Sequence, residues 1–172
     1  MRRLAYAAAG LGVAASLAGS PYAAHHGTID VEALSRAVAN ERDHVTAIEL
    51  AEWIKERRAD LRVVDVRTRE EFEAFHIPSA ERIAIDSLAV STLRPRDIVV
   101  LYSEGGAHAA QAWVFLRALG YQKVYFLRGG IYDWVDQIVS PEKASDMSRY
   151  FGGVPRAPGT TPSLAAARRR GC

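Results

Sequence analysis

A chain of 172 residues is long enough for one domain with appendages and short for two. Its 49% hydrophobic and 24% charged residues are the balance of a globular domain, and a core of about 100 to 120 residues folds without disulfides or metals. A formal charge of only +2 argues against the broad basic face of a nucleic-acid binder, and a single cysteine, Cys172, leaves no internal disulfide.

In chain order, Met1-Arg2-Arg3 followed by the apolar, Ala/Gly-rich stretch Leu4 to Ala18 reads as the charged and hydrophobic regions of an export signal. Without a polar face, and followed by Gly19-Ser20-Pro21, this stretch is a poor N-terminal core helix. Residues 1–24 are therefore expected to be a signal peptide or an N-terminal anchor, placing the protein in the periplasm or otherwise outside the cytoplasm. Ala18-Gly19-Ser20 offers small residues for cleavage, but Pro21 follows them. Uncleaved, the 21 residues Leu4 to Ala24 match about one bilayer span, although their Ala and Gly content makes it a marginal one.

Residues 25–44 are polar and mixed, with a short amphipathic helix expected at Val31 to Val38. His25, His26 and His44 lack further ligands beside them, so no metal site is assigned, and no cofactor is implied. The domain is expected over 45–139. Thr46 with Glu49 forms a capping-box pattern, and Ile48, Leu50, Ala51, Trp53 and Ile54 supply the apolar face of the helix it opens. Strands are expected at Leu61 to Val66, Arg82 to Ile85, Ile98 to Tyr102 and Val124 to Leu127. Helices are expected at Arg69 to Phe75, Ala107 to Leu119 and Ile131 to Ile138. The run Ile98 to Tyr102 is apolar without alternation, as for a central parallel strand covered on both faces. Alternating strands and helices predict an α/β fold, a parallel sheet with helices on both faces. From 140 to 172 the pattern dissolves into Gly, Pro, Ser, Thr, Ala and Arg, a flexible tail made basic by Arg156, Arg168, Arg169 and Arg170.

The segment with chemistry in it is Ser103-Glu104-Gly105-Gly106-Ala107-His108, a tight turn between a central strand and a helix. Such turns lie at the carboxyl edge of the sheet, where open α/β folds place ligands. Its glycines let several amides converge, and the helix start adds unpaired N–H groups and positive dipole, which together make an anion cradle.

Around this loop stand Val64-Asp65-Val66-Arg67, Glu70-Glu71-Phe72, His76-Ile77-Pro78-Ser79-Ala80 and Leu127-Arg128-Gly129-Gly130-Ile131-Tyr132-Asp133-Trp134. In order, spacing and residue type, the stretch Val45 to Ile138 resembles the rhodanese-like family of sulfurtransferases. The resemblance implies a single rhodanese-like domain. It also implies a six-residue active-site loop that opens with a cysteine, has glycine fourth and often arginine sixth. In active members that cysteine takes the outer sulfur of thiosulfate as a persulfide. Here Ser103, Gly106 and His108 occupy those three positions, so the cradle persists without its nucleophile.

A serine hydroxyl forms no persulfide and attacks only with a base beside it. His108, five residues on, has no assured reach to Ser103. Glu104 opposes an anionic ligand if it points inward. A histidine titrates near pH 6.5 when unperturbed, so His108 is expected to favour anions in acid. Asp65, Arg67 and Glu71 are read as structural support, a strand-end aspartate and an arginine–glutamate pair bracing the loop. Trp53, Trp113 and Trp134 fall at helical positions and are expected in packing.

The expected function is thus a catalytically inactive sulfurtransferase homologue that binds a small sulfur oxyanion or a protein partner, with no nucleic acid involved. The alternative is a sulfurtransferase that borrows a cysteine, from a partner or from Cys172. Flexible, a tail of about 20 residues spans near 25 Å, enough to bring Cys172 to the loop. Membrane contact is expected through residues 4–24 or the basic tail.

Overall fold

The computed structural model describes residues 29–157 and residue 159. The export segment, His25, His26 and Cys172 lie outside those residues. Among the described residues no helix is long and apolar enough to cross a membrane.

Five parallel strands form one sheet: β1 (His44–Val45), β2 (Leu61–Asp65), β3 (Glu81–Arg82), β4 (Ile98–Tyr102) and β5 (Val124–Leu127), in the order β1-β5-β4-β2-β3. Strand β4 sits at the centre and all five of its residues are buried. Its side chains divide by the two-residue period of a strand. Val100 and Tyr102 join the cluster of Leu50, Ile77, Leu127, Ile131 and Trp134 on one face. Val99 and Leu101 join that of Leu88, Trp113, Leu116 and Val124 on the other. This is why the strand reads as an unbroken apolar run: neither face meets water.

The first face is covered by α2 (Ala47–Lys55), α5 (Gly130–Trp134) and the π-turn Val135–Val139. The second is covered by α4 (Ala107–Ala118) and the 3-10 turn Ile85–Val90. The expected α/β architecture, with helices on both faces of a parallel sheet, is the one observed. Helix α2 starts where expected, with Thr46 and Glu49 exchanging side-chain and backbone hydrogen bonds. The short α3 (Arg69–Ala74) starts the same way, with Thr68 and Glu71. Helix α1 (Val31–Ala39), anticipated at Val31 to Val38, has no fully buried residue and leans Leu34 and Ala37 against the second cluster.

Three local expectations differ. The strand anticipated at Arg82 to Ile85 is only Glu81–Arg82, because after the Ile83 amide bonds the Asp65 carbonyl the chain turns into the 3-10 segment. Strand β1 carries no sequence signal of its own, being two residues fixed by pairing with Phe126 and Leu127.

The flexible tail expected from residue 140 is packed through residue 157. Ser145 caps a short α6 (Asp146–Tyr150), Phe151 meets the Trp134 ring edge-on at 5.3 Å, and Arg156 pairs with Asp136. Backbone bonds from Val154 to Val139 and from Arg156 to Pro141 tie the segment down, both close to 3 Å. Met147 and Phe151, one helical turn apart, provide the apolar contact that the composition of the tail concealed.

Strand order positions the site. From β2 the chain moves outward to β3, and from β4 it moves the opposite way to β5. A crevice therefore opens at the carboxyl ends of β2 and β4, where open α/β sheets bind ligands. Asp65 at the end of β2 lies opposite Tyr102 at the end of β4, so residues 66–68 and 103–108 flank one another.

Candidate functional site

The loop leaves β4 at Ser103, whose side chain is buried, with 3% of the residue exposed. Its Oγ accepts the amide of Ala109 at 3.4 Å. That amide belongs to the first turn of α4. The helix begins at Gly106, in the left-handed region at φ 96°, which has no side chain to cap it. Ser103 thus supplies, from three residues upstream, a cap that the N-terminal residue lacks. Among the described residues no protein acceptor takes the amides of Gly105, Gly106, Ala107 or His108, leaving four donors for solvent or a ligand.

The turn at Gly129-Gly130 supports the loop from below. The Ile131 amide donates to the Ser103 carbonyl at 2.9 Å, and that of Tyr132 to the Glu104 carbonyl at 3.3 Å. A β-carbon on Gly130, at φ 58°, would overlap both carbonyl oxygens. One on Gly129 would overlap the carboxylate of Asp133, which folds over that turn and whose burial raises its pKa. The motif at 127–134 is therefore the floor of the loop.

Asp65 is fully buried and holds Arg67 through both carboxylate oxygens, the shortest contact being 2.6 Å. The same guanidinium donates to the Phe75 carbonyl at 2.7 Å and lies over the Tyr102 ring at 5.5 Å. Tyr102 in turn accepts the Ile77 amide, and burial with Asp65 beside it raises the phenol well above its usual range. The expected arginine–glutamate pair is not the one formed. Arg67 is satisfied by Asp65, while Glu71 is held by Thr68 as the cap of α3. Geometry decides this: Asp65 and Arg67 project from the same strand end, whereas α3 needs Glu71 for its own free amides.

Glu71 instead faces Glu104. Partial burial and then the neighbouring Glu71 carboxylate raise the Glu104 pKa, only partly offset by Arg67 and His108. Burial would raise Glu71 as well, but its bonds to Thr68 and the Glu104 carboxyl outweigh that and lower it. Of the two, Glu104 is the one that holds a proton longer as pH rises. This carboxyl pair was not legible in the sequence, where the two residues are 33 positions apart.

His108 is exposed on the first turn of α4 and makes no hydrogen bond to Ser103. Ala107 and Gly105 are exposed as well. Ser103 therefore has a helix amide for a neighbour and no base. His76 bonds the Phe72 carbonyl through Nδ1 at 2.9 Å and stacks on that ring, a local role. His44 bonds Asp43, and no group of three potential metal ligands occurs among the described residues. Trp113 and Trp134 are core residues, and Trp53 packs at the rim against Tyr125 and Arg58.

Comparison with known proteins agrees with this architecture. The family model of the rhodanese-like domain matches residues 46–137. A sulfurtransferase of Allochromatium vinosum is 36% identical over 88 residues, which are 48% of this chain and 82% of that protein. Among solved structures, a rhodanese-like domain protein of Staphylococcus aureus superposes with a TM-score of 0.50 at 28% identity, covering 55% of this chain and 93% of that one. A Bacillus halodurans protein superposes with a TM-score of 0.51 at 26% identity, covering 61% and 80%. By its sheet order, its matched segment and its sulfurtransferase relatives, the chain belongs to the rhodanese-like domain family.

Proposed function

We propose that this is an exported rhodanese-like domain that binds rather than turns over its ligand. The ligand is an oxyanion-like group, a small sulfur oxyanion or a carboxylate of a protein partner, received on the amides of residues 105–108. The observation that carries this reading is the environment of Ser103. Its oxygen is buried, occupied by the Ala109 amide, and without a base beside it. The hydroxyl there has no base beside it to take its proton, and activation by a base is how a serine becomes a nucleophile. Sulfur transfer needs a thiolate, which this loop does not contain.

The carboxyl pair adds a pH term. An anion on the loop amides sits near Glu104, so the site accepts it best when Glu104 carries its proton. Binding tightens as pH falls toward the raised Glu104 value, with Glu71, Arg67 and His108 as the other charges in the field.

Turnover separates binding from catalysis. The full chain, Ser103→Cys and Cys172→Ala are incubated with thiosulfate and cyanide, and thiocyanate is measured. The expected result is background rate for the full chain and for Cys172→Ala, and activity only in Ser103→Cys. Turnover by the unmodified chain that vanishes in Cys172→Ala would overturn the binding reading in favour of a borrowed cysteine.

A further inference from the structure

The solvent side of α4 is unlike that of an ordinary surface helix, whose outward face is polar or charged. Val114 is 38% exposed, Phe115 50% and Leu119, just past the helix end, 39%. Arg117 is the only lysine, arginine or acid in the helix, and it is turned to the carbonyls of Tyr121 and Gln122. At the C-terminal end of α4 a cleft of about 290 Å³ separates it from the start of α1, lined by Ile29, Ala33, Leu34, Arg117 and Leu119. Ile29 and Val31 are themselves 50% and 69% exposed, so the apolar surface runs from α4 across the cleft onto α1.

The chain reaches this surface from the apolar stretch Leu4 to Ala24. Only His25, His26, Gly27 and Thr28 intervene before Ile29. Fully extended, that link spans at most roughly 18 Å. With Leu4 to Ala24 in a bilayer, Ile29 is therefore held within that length of the headgroups, and the C-terminal end of α4, across the cleft from Ile29, is brought near them.

We propose that the chain retains its N-terminal stretch in the membrane and rests α4 and the start of α1 on the bilayer. Ile29, Val31, Phe115 and Leu119 enter the interfacial region, as the apolar face of an interfacial helix does. The two acids at the start of α1 are accounted for: Glu32 pairs with Arg36 at 3.0 Å, and Asp30 caps the Ala33 amide. The contact is therefore driven by apolar side chains and depends little on anionic lipid. It also sets the loop at the N-terminus of α4 beside the membrane, whatever that loop binds.

The test uses the full chain reconstituted in vesicles, with Cys172→Ala removing the native thiol. Single fluorescent probes are placed through Phe115→Cys and Leu119→Cys, and through Glu52→Cys on the opposite face. Quenching by a lipid-borne nitroxide is expected to be several-fold stronger at 115 and 119 than at 52, with or without anionic lipid. A Phe115→Ser, Leu119→Ser double variant with an unchanged thermal melt is expected to lose the quenching of a probe at Val114→Cys, on α4 and away from the tether. Equal quenching at the three positions would overturn the proposal, as would a double variant that keeps the Val114 signal. So would recovery of the protein from cell membranes without residues 1–24. Protection of positions 115 and 119 from both lipid and aqueous quenchers, with cross-linking to a doubled mass, would assign the face to a second copy instead.

Discussion

At the level of single residues the loop holds Ser103 where the family resemblance implies a cysteine. Ser103 serves α4 as a remote cap, and Glu104 shares the mouth with Glu71. The sign of the carboxyl effect follows from the two shifts. Glu104 has a folded pKa above its usual value, so its contribution to stability is full below about pH 4.5 and is lost as pH rises through the folded value. Glu71 is lowered, so its contribution is present above the usual value and is lost as pH falls through the folded one. Glu104→Gln is therefore expected to stabilise the domain at neutral pH by about 0.5 kcal/mol after allowance for solvent screening, a gain that disappears in acid. Urea melts of both proteins across pH 3.5 to 7.5, roughly the carboxylate range and above it, measure this difference directly. A constant offset between the curves would mean that the two carboxyls do not interact. The same substitution should flatten the pH dependence of sulfate binding, since it removes the proton uptake that anion binding favours.

Among the elements, the floor of the site proves as important as its rim. In the sequence the Gly129-Gly130 pair stands only within the motif Leu127 to Trp134 that carries the family resemblance, with no role of its own. In the structure it carries the loop on two backbone bonds and leaves no room for a β-carbon. Gly130→Ala is expected to cost about 1–2 kcal/mol for the left-handed backbone alone and more for the overlap with the Ser103 and Glu104 carbonyls. The result would be a lower melting temperature together with weaker anion binding. A variant that melts like the parent and binds as well would contradict the supporting role. The strong elements were legible because each has a local cause: the capping box at Thr46, the apolar run of β4, and the glycine turn before α4. Elements that exist through long-range contacts were not. Strand β1 is defined by its partner β5, and Arg67 chooses Asp65 over Glu71 for reasons of orientation that spacing does not reveal.

For the whole molecule, the matched segment ends at 137, but the packed chain continues to 157. Met147 and Phe151 close the first core cluster over Trp134, and Arg156 reaches back to Asp136. Phe151→Ala is expected to destabilise the domain by roughly 2 kcal/mol, less than a fully buried phenylalanine because this ring is partly exposed. Chemical denaturation checks it, and a change within a few tenths of a kcal/mol would mean that the segment is only laid on the surface. Composition concealed this segment, because glycine, proline and serine also build capped and tightly packed connections. In the loop, a family fold and four unpaired backbone amides hold a serine where sulfur transfer needs a thiolate. The most direct measurement is the intact mass of the full chain after thiosulfate, with peptide mapping to locate any added sulfur. The expected result is no added sulfur on the unmodified protein, and one cyanide-labile sulfur on residue 103 in Ser103→Cys. A cyanide-labile sulfur on the unmodified chain, at Cys172, would contradict it.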